Sequence, residues 1–361
     1  MASWIASDHQ LVKFDNQIAG HDRLLQLSTT DLLIIKPCTR TELDFYETAQ
    51  QYPEFTPWIP QCFGSLRSST NAEKQLLNNE KANEGVVPIS AVERPRDTQG
   101  RALDEHLCLE NLLHGFTRPC IMDIKLGDRL YDDEADEAKR KKMQDNAKGT
   151  TIESLAARIS GMKVYDTVDK TWSAYPKAFG RSRSQDTILD AFLAYFFPTS
   201  AYAKAPEENR TTTPDEEIQA ESSSSSRKKV TGTKMRWIIE SIIEDIVSMV
   251  EFLEAYPALE LIGASLLIVY EGDSEAANQV WKKLIEEDNR EAQDGAQDEE
   301  GNEEEEEEEE EPKLYDVRLI DFAHSRWDVD RIAQDAGLLK GFQNVLRLLN
   351  ECLDRQRSEK L

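Results

Sequence analysis

Residues 119–127 read Pro-Cys-Ile-Met-Asp-Ile-Lys-Leu-Gly, a run short and apolar enough for a buried strand. Strand alternation puts Cys120, Met122, Ile124 and Leu126 on one face, and Ile121, Asp123 and Lys125 on the other. A carboxylate and an ammonium on one face of a core strand need each other or a charged ligand, because burying either alone is costly. Pro119 and Gly127 punctuate the ends. Beyond them come Asp128, Arg129, Tyr131, Asp132 and Asp133, so the strand opens onto a charged surface where a site would lie. The competing reading is a purely structural ion pair; the charged exit weighs against it.

A chain of 361 residues is long enough for two lobes around large cores. Its net charge of -26 is uneven: residues 286–311 hold 17 acidic side chains against one Arg, a net of -16, leaving about -10 for the rest. An acidic body of this kind speaks against direct nucleic-acid binding. The cysteines, Cys38, Cys62, Cys108, Cys120 and Cys352, are odd in number and widely spaced, which suggests buried thiols of a reducing compartment rather than disulfides or a zinc site. The first ten residues lack a basic stretch followed by an apolar one, and no apolar run reaches membrane-spanning length, so no membrane insertion is expected. Nucleus and cytoplasm are the expected locations.

Residues 1–110 read as a strand-rich lobe. The stretch 17–21 is a turn between strands, and 31–37 is a strand from which Lys36 emerges needing an anion, with Glu42 or Glu47 of a helix at 40–51 as partner. Residues 107–115 form a connector whose backbone can meet a planar base. The second lobe, 111–361, continues with a polar helix at 134–148 carrying Lys139, Arg140, Lys141 and Lys142, then a helix at 151–162 and a strand opening at Lys163. A helix at 186–197 precedes a Ser-rich stretch, 204–233, too polar to order itself. The strongest helical pattern spans 237–256. An apolar strand at 266–270, a short helix near Trp281, an acidic insert at 286–312, a strand at 317–324 and a helix at 335–353 complete the chain. The strands flanking the acidic insert should pair, making the insert a surface loop, possible ground for nuclear protein partners.

Asp321 repeats the logic of Asp123, an acid at the end of a buried strand. Lys36 on a separate lobe, two such carboxylates and a connector together suit phosphoryl transfer from ATP. No Gly-x-x-x-x-Gly-Lys-Ser/Thr loop and no His-Arg-Asp loop occur, which argues against a P-loop enzyme and an ordinary protein kinase. The stretch 119–127 resembles the Pro-x-x-x-Asp-x-Lys-x-Gly signature of the inositol polyphosphate kinase family. The likeness continues through Ala264-Ser-Leu-Leu267 and Ile320-Asp-Phe-Ala-His324, in the family's order.

The resemblance implies a two-lobed α+β fold, protein-kinase-like and ATP-grasp-like, with a small helical substrate-binding insert at 134–162. It implies an ATP- and Mg2+-dependent kinase acting on hydroxyls of soluble inositol polyphosphates, from trisphosphate to tetrakis- and pentakisphosphate. By resemblance, Lys36 contacts nucleotide phosphates, and the backbone of Glu110 and Leu112 forms the adenine hinge. Asp123 lies between ribose and acceptor hydroxyl, Lys125 steadies the transferring phosphoryl group, Asp321 holds the metal, and Ser265 lies beside them. Lys141, Gln144, Lys148 and His324 fall on the inositol phosphate side. Gly180-Arg-Ser182 matches a family tripeptide of open role. The family's glycine turn is present as Ala19-Gly-His-Asp-Arg23, without its second Gly. The rival readings are an inositol hexakisphosphate kinase and a nuclear scaffold acting through the acidic and Ser-rich segments.

Overall fold

Two antiparallel sheets face each other across a cleft. The computed structural model describes residues 11–18, 24–67, 105–198, 202, 205–211, 230–294 and 313–361. The smaller sheet runs in the order β1 (Leu11–Lys13), β2 (Leu25–Leu27), β3 (Thr30–Cys38), β5 (Glu105–Glu110), β4 (Cys62–Arg67). The larger runs β12 (Tyr315–Ile320), β11 (Ser265–Glu271), β6 (Pro119–Leu126), β7 (Ala157–Asp166), β8 (Thr171–Tyr175), β9 (Arg210–Thr211). A two-stranded ribbon joins β10 (Leu259–Glu260) to β13 (Arg326–Trp327). The expected pairing across the acidic stretch is present, with Ser265 opposite Ile320 and Tyr270 opposite Tyr315.

Strand β6 lies in the middle of its sheet, and the pleat sorts its side chains as alternation requires. Cys120, Met122, Ile124 and Leu126 enter the main core, against α5 (Ile188–Phe196), α6 (Gly232–Ala255) and α8 (Ala336–Glu359). Ile121, Asp123 and Lys125 face the cleft. The helix layer follows from periodic burial: α6 buries Ile238, Ile239, Ile242, Ile246, Met249 and Leu253, and its N-cap Thr231 accepts from Lys234 N.

Helix α1 (Arg40–Ala49) starts on the N-cap Thr39, which accepts from Glu42 N. Its buried face carries Phe45, stacked on Phe322 at 4.2 Å between ring centroids. The helix thereby clamps the chain just after β12.

Several elements differ from expectation. The segment 134–162 is not helical throughout: α2 (Glu137–Ala147) and α3 (Thr151–Leu155) are followed by β7. Ala156 ends α3 in the left-handed region at φ 52°, and pairing with β6 and β8 overrides the helical pattern. A bulge between Asp123 and Ile124 in the β6–β7 register breaks the alternation that would have marked the strand. The helix at Trp281 is long, α7 (Ser274–Asp294), so the stretch read as an acidic insert begins inside a helix. Within the Ser-rich stretch, residues 205–211 form a 3-10 turn and β9, an edge strand on β8, and α6 already starts at Gly232. The glycine turn 19–23 lies outside the described residues. Cys38, Cys120 and Cys352 are buried thiols, but Cys62 and Cys108 are only partly covered.

Candidate active site

The cleft holds a cavity of about 370 Å³, within the range of small-molecule sites. One half is apolar, lined by Ile34, Leu109, Leu112, Ile121, Leu267 and Ile320 from both sheets. The other half gathers Lys36, Glu42, Asp123, Lys125, Asp321 and His324. Of the residues singled out in the sequence, Lys36, Glu110, Leu112, Asp123, Lys125, Asp321 and His324 therefore meet in one place.

Lys36 Nζ lies 2.6 Å from Asp321 Oδ1 and 2.7 Å from Glu42 Oε1. Glu42, not Glu47, is its helical partner. Burial works against the ammonium's charge, yet Asp321 and Glu42 together hold its pKa above the usual value. The same Glu42 Oε1 accepts from Phe322 N at 3.1 Å, so one carboxylate joins the lysine of the small sheet to the turn after β12. Asp321 itself adopts φ +68°, a left-handed conformation that Asp tolerates better than most residues. That turn aims its carboxylate back at Lys36.

Asp123 is 5% exposed, and its Oδ1 is buried without a hydrogen-bond partner. Burial and then the nearby Asp321 push its pKa up to about 6, against the pull of Lys125, a hydrogen bond with Ser265, and Lys177. Ser265 is fully buried behind the cavity and sits opposite Lys125 in the β6–β11 ladder. Lys125 Nζ donates to Gly263 O at 2.8 Å. At the connector, Glu110 N donates to Gln61 O at 2.9 Å, so Glu110 can offer a base its carbonyl but not its N–H. Asn111, also buried, fixes the connector by donating to Asp31 O at 2.6 Å.

Two basic residues were not picked out in the sequence, Arg158 on β7 and Lys177 on α4 (Lys177–Arg181), and a third, Arg181, stood only within the Gly180-Arg-Ser182 tripeptide, whose role was open. The pKa of Lys177 is lowered by burial and by the positive charges of Arg158, Arg181 and Lys125, while that of Arg158 is lowered by burial and Arg181. Such a concentration of cations needs anions. Gly180 makes the cluster possible, because a Cβ there would stand 1.8 Å from Ile159 O; only glycine lets α4 lie directly on β7. Arg181 Nη2 then donates to Asn146 Oδ1 at 2.7 Å and Arg158 Nη1 to Asn146 O at 3.2 Å. Arg158 was hidden by the helical reading of its segment; the Gly180-Arg-Ser182 tripeptide was the available signal for α4. Lys141, Gln144 and Lys148 are exposed on or beside α2 and do not line the cavity; Gln144 Nε2 donates to Tyr131 Oη at 3.2 Å.

Residues 106–350 match the family model of inositol polyphosphate kinase. The chain belongs to that family. This kinase is 33% identical to the inositol polyphosphate multikinase of Schizosaccharomyces pombe over 54% of its own length and 67% of the relative. It is 28% identical to the multikinase of Saccharomyces cerevisiae over 92% of its length and 96% of the relative. Inositol hexakisphosphate kinase 1 of Rattus norvegicus is 24% identical over 72% of this chain and 54% of that protein. The crystal structure of the S. cerevisiae inositol phosphate multikinase in complex with ADP and Mn2+ superposes with a TM-score of 0.56 at 23% identity, covering 89% of this chain and 99% of that one. The kinase therefore has the two-lobed inositol polyphosphate kinase fold.

Proposed function

We propose that the kinase transfers the γ-phosphoryl group of ATP to hydroxyls of soluble inositol polyphosphates, carrying a trisphosphate to tetrakis- and pentakisphosphate. The observation that carries the reading is the position of Asp123. One side of its surroundings is the cavity, shared with Lys36, Asp321 and the apolar slot; the other is a group of cations coupled to it electrostatically, Lys125, Arg158 and Lys177, the last coupled in turn to Arg181. A base and its phosphates suit the first side, and a small ring bearing several phosphates suits the second.

Among the described residues no group of three or more His, Cys, Asp or Glu side chains forms a metal cage. Magnesium needs none, since one or two carboxylates and the nucleotide's own phosphates hold it. Asp321, whose carboxylate meets the exchangeable ammonium of Lys36, and Asp123, with its orphaned Oδ1, fit that requirement, and the ADP and Mn2+ in the related structure support it. A bound magnesium ion would neutralise charge on the phosphate oxygens. Lys36 would bind nucleotide phosphate, and Asp123, its pKa raised by burial, would accept the proton of the attacking hydroxyl. Lys125, braced on Gly263 O, would meet the transferring group. Glu110 and Leu112 would frame the base, Ser265 would orient Asp123, and His324 would meet substrate phosphate. Lys141, Gln144 and Lys148 would extend the basic field at the rim.

The roof of the nucleotide half comes from residues 14–18, of which Phe14, Asn16, Gln17 and Ile18 line the cavity. Lys163 of β7 ties this segment down: its Nζ donates to Asn16 Oδ1 at 2.8 Å and stands 4.5 Å from the Trp172 ring centroid. Lys163→Met is expected to raise the KM for ATP about tenfold and leave kcat within about twofold, the effect of losing one charged hydrogen bond outside the reacting atoms. Initial rates at varied ATP check this; an unchanged KM would remove Lys163 from the roof.

Chromatographic identification of products from defined inositol phosphates tests the function. Stepwise tetrakis- and pentakisphosphate formation supports it, and a pyrophosphate formed from hexakisphosphate alone overturns it in favour of the related hexakisphosphate kinase activity. Division into lobes at residue 110, a nuclear and cytoplasmic location, and protein partners for the acidic stretch belong to the same proposal; imaging a fluorescent fusion with and without residues 295–312 tests the last two. Among the described residues no helix is long and apolar enough to cross a membrane.

A further inference from the structure

We infer that Asp132 is a positioning residue for the acceptor side, holding the imidazole of His324 and the ammonium of Lys139 with one carboxylate; the inference rests on the kinase reading of the cavity. Asp132 lies in the turn between β6 and α2, His324 in the turn after β12, and Lys139 in the first turn of α2. His324 Nδ1 stands 2.6 Å from Asp132 Oδ2, and Lys139 Nζ 3.9 Å from the same oxygen. Asp132 and Lys139 are neighbours in the chain, His324 comes from a distant part of it, and the three converge at a cavity wall that His324 forms.

The convergence is not a closed structural ion pair. Asp132 Oδ1 and Lys139 Nζ are both buried, and neither has a hydrogen-bond partner. Buried polar groups of a purely structural network are ordinarily satisfied, and an ammonium has three N–H groups to place. The Lys139 ammonium is thus an unmet donor behind the His324 wall of a cavity suited to phosphates, which a ligand phosphate would complete, while Asp132 Oδ1 is an acceptor that only a donor such as a hydroxyl would satisfy. The loop that carries Asp132 is also pinned without help from His324. Arg129 Nη1 and Arg326 Nη2 each lie 3.1 Å from the Asp133 carboxylate, and Arg140 donates to Asp133 O at 2.6 Å and Ala135 O at 2.8 Å. A carboxylate on a loop so pinned orients the imidazole through Nδ1 and directs Nε2 to whatever the histidine serves in the cavity.

The test uses the full chain with ATP, magnesium and inositol trisphosphate. Asp132→Asn and His324→Gln are each expected to raise the KM for inositol trisphosphate about tenfold or more with the KM for ATP unchanged. Their combination should fall short of the product of the two effects by about fivefold, because the carboxylate acts through the ring. Asp132→Glu should recover part of the loss. A multiplicative double variant, or a parallel rise in the KM for ATP, would overturn the assignment. If Asp132→Asn does not fold, Asp132→Glu and its combination with His324→Gln read the same coupling. Wild-type turnover in the same assay separates the two levels: its absence sinks the kinase reading as well, whereas normal turnover with an unaltered Asp132→Asn sinks only the positioning role.

Discussion

Asp123→Asn is expected to abolish turnover while making the ligand-free protein more stable. The amide cannot take the proton of the acceptor hydroxyl, which should lower kcat by about 10²–10⁴-fold. The stability gain follows from the raised pKa of about 6 against an ordinary value of 3.8. A carboxyl with its folded pKa raised favours the folded state at low pH, and that contribution is lost as the pH rises through the folded pKa. Wild-type protein without nucleotide or metal therefore carries a penalty above about pH 6 that the variant lacks, of the order of 2–3 kcal/mol at full ionisation. The excess stability of Asp123→Asn should vanish near pH 4 and be complete above pH 6. Denaturant midpoints of both proteins across that range measure it; a variant less stable than wild type at pH 7.5 would show that the Asp123 charge is compensated in the resting protein.

That penalty explains why the nine-residue stretch 119–127 is so informative as sequence. A carboxylate on a core strand conflicts with folding unless a ligand justifies it, and such conflicts are visible in sequence. Its facing pattern could be read because alternation is a local property, and the same holds for Lys36 leaving an apolar strand. What could not be read depends on long-range pairing. Whether Glu42 or Glu47 meets Lys36 is decided by how α1 lies against Phe322, and the contact between Lys36 and Asp321 spans 285 positions. Arg158 was lost because a bulged strand following a five-residue helix has no clean period in sequence. Asp132 was seen only as one of several charges in a loop, since its meaning comes from where His324 and Lys139 are brought.

Gly180→Ala is expected to separate the two substrates. The added Cβ overlaps Ile159 O, and the obstruction is backbone on a central strand, so α4 must lift. Overpacking of this sort lowers stability by about 1–3 kcal/mol. Lifting α4 carries Lys177 and Arg181 away from Arg158 and Lys125, and the KM for inositol phosphate should rise about tenfold or more while that for ATP stays within about twofold. Thermal unfolding together with initial rates in both substrates measures both parts. Equal damage to both KM values would mean that α4 supports the cleft as a whole and not its acceptor side.

The short contact between Lys36 and Asp321 has a consequence for the order in which the cleft fills. With the lysine resting on the carboxylate, the cleft supplies its own counter-ion. In the roles proposed for these residues, a free divalent cation would have to displace an ammonium already in place, and a free nucleotide would have to take a lysine already engaged. A metal–nucleotide complex would do both at once, exchanging one ion pair for two. The cleft would thus discriminate by ion exchange against either component arriving alone, with Glu42, bonded to both Lys36 and Phe322 N, keeping the two halves of that exchange in register.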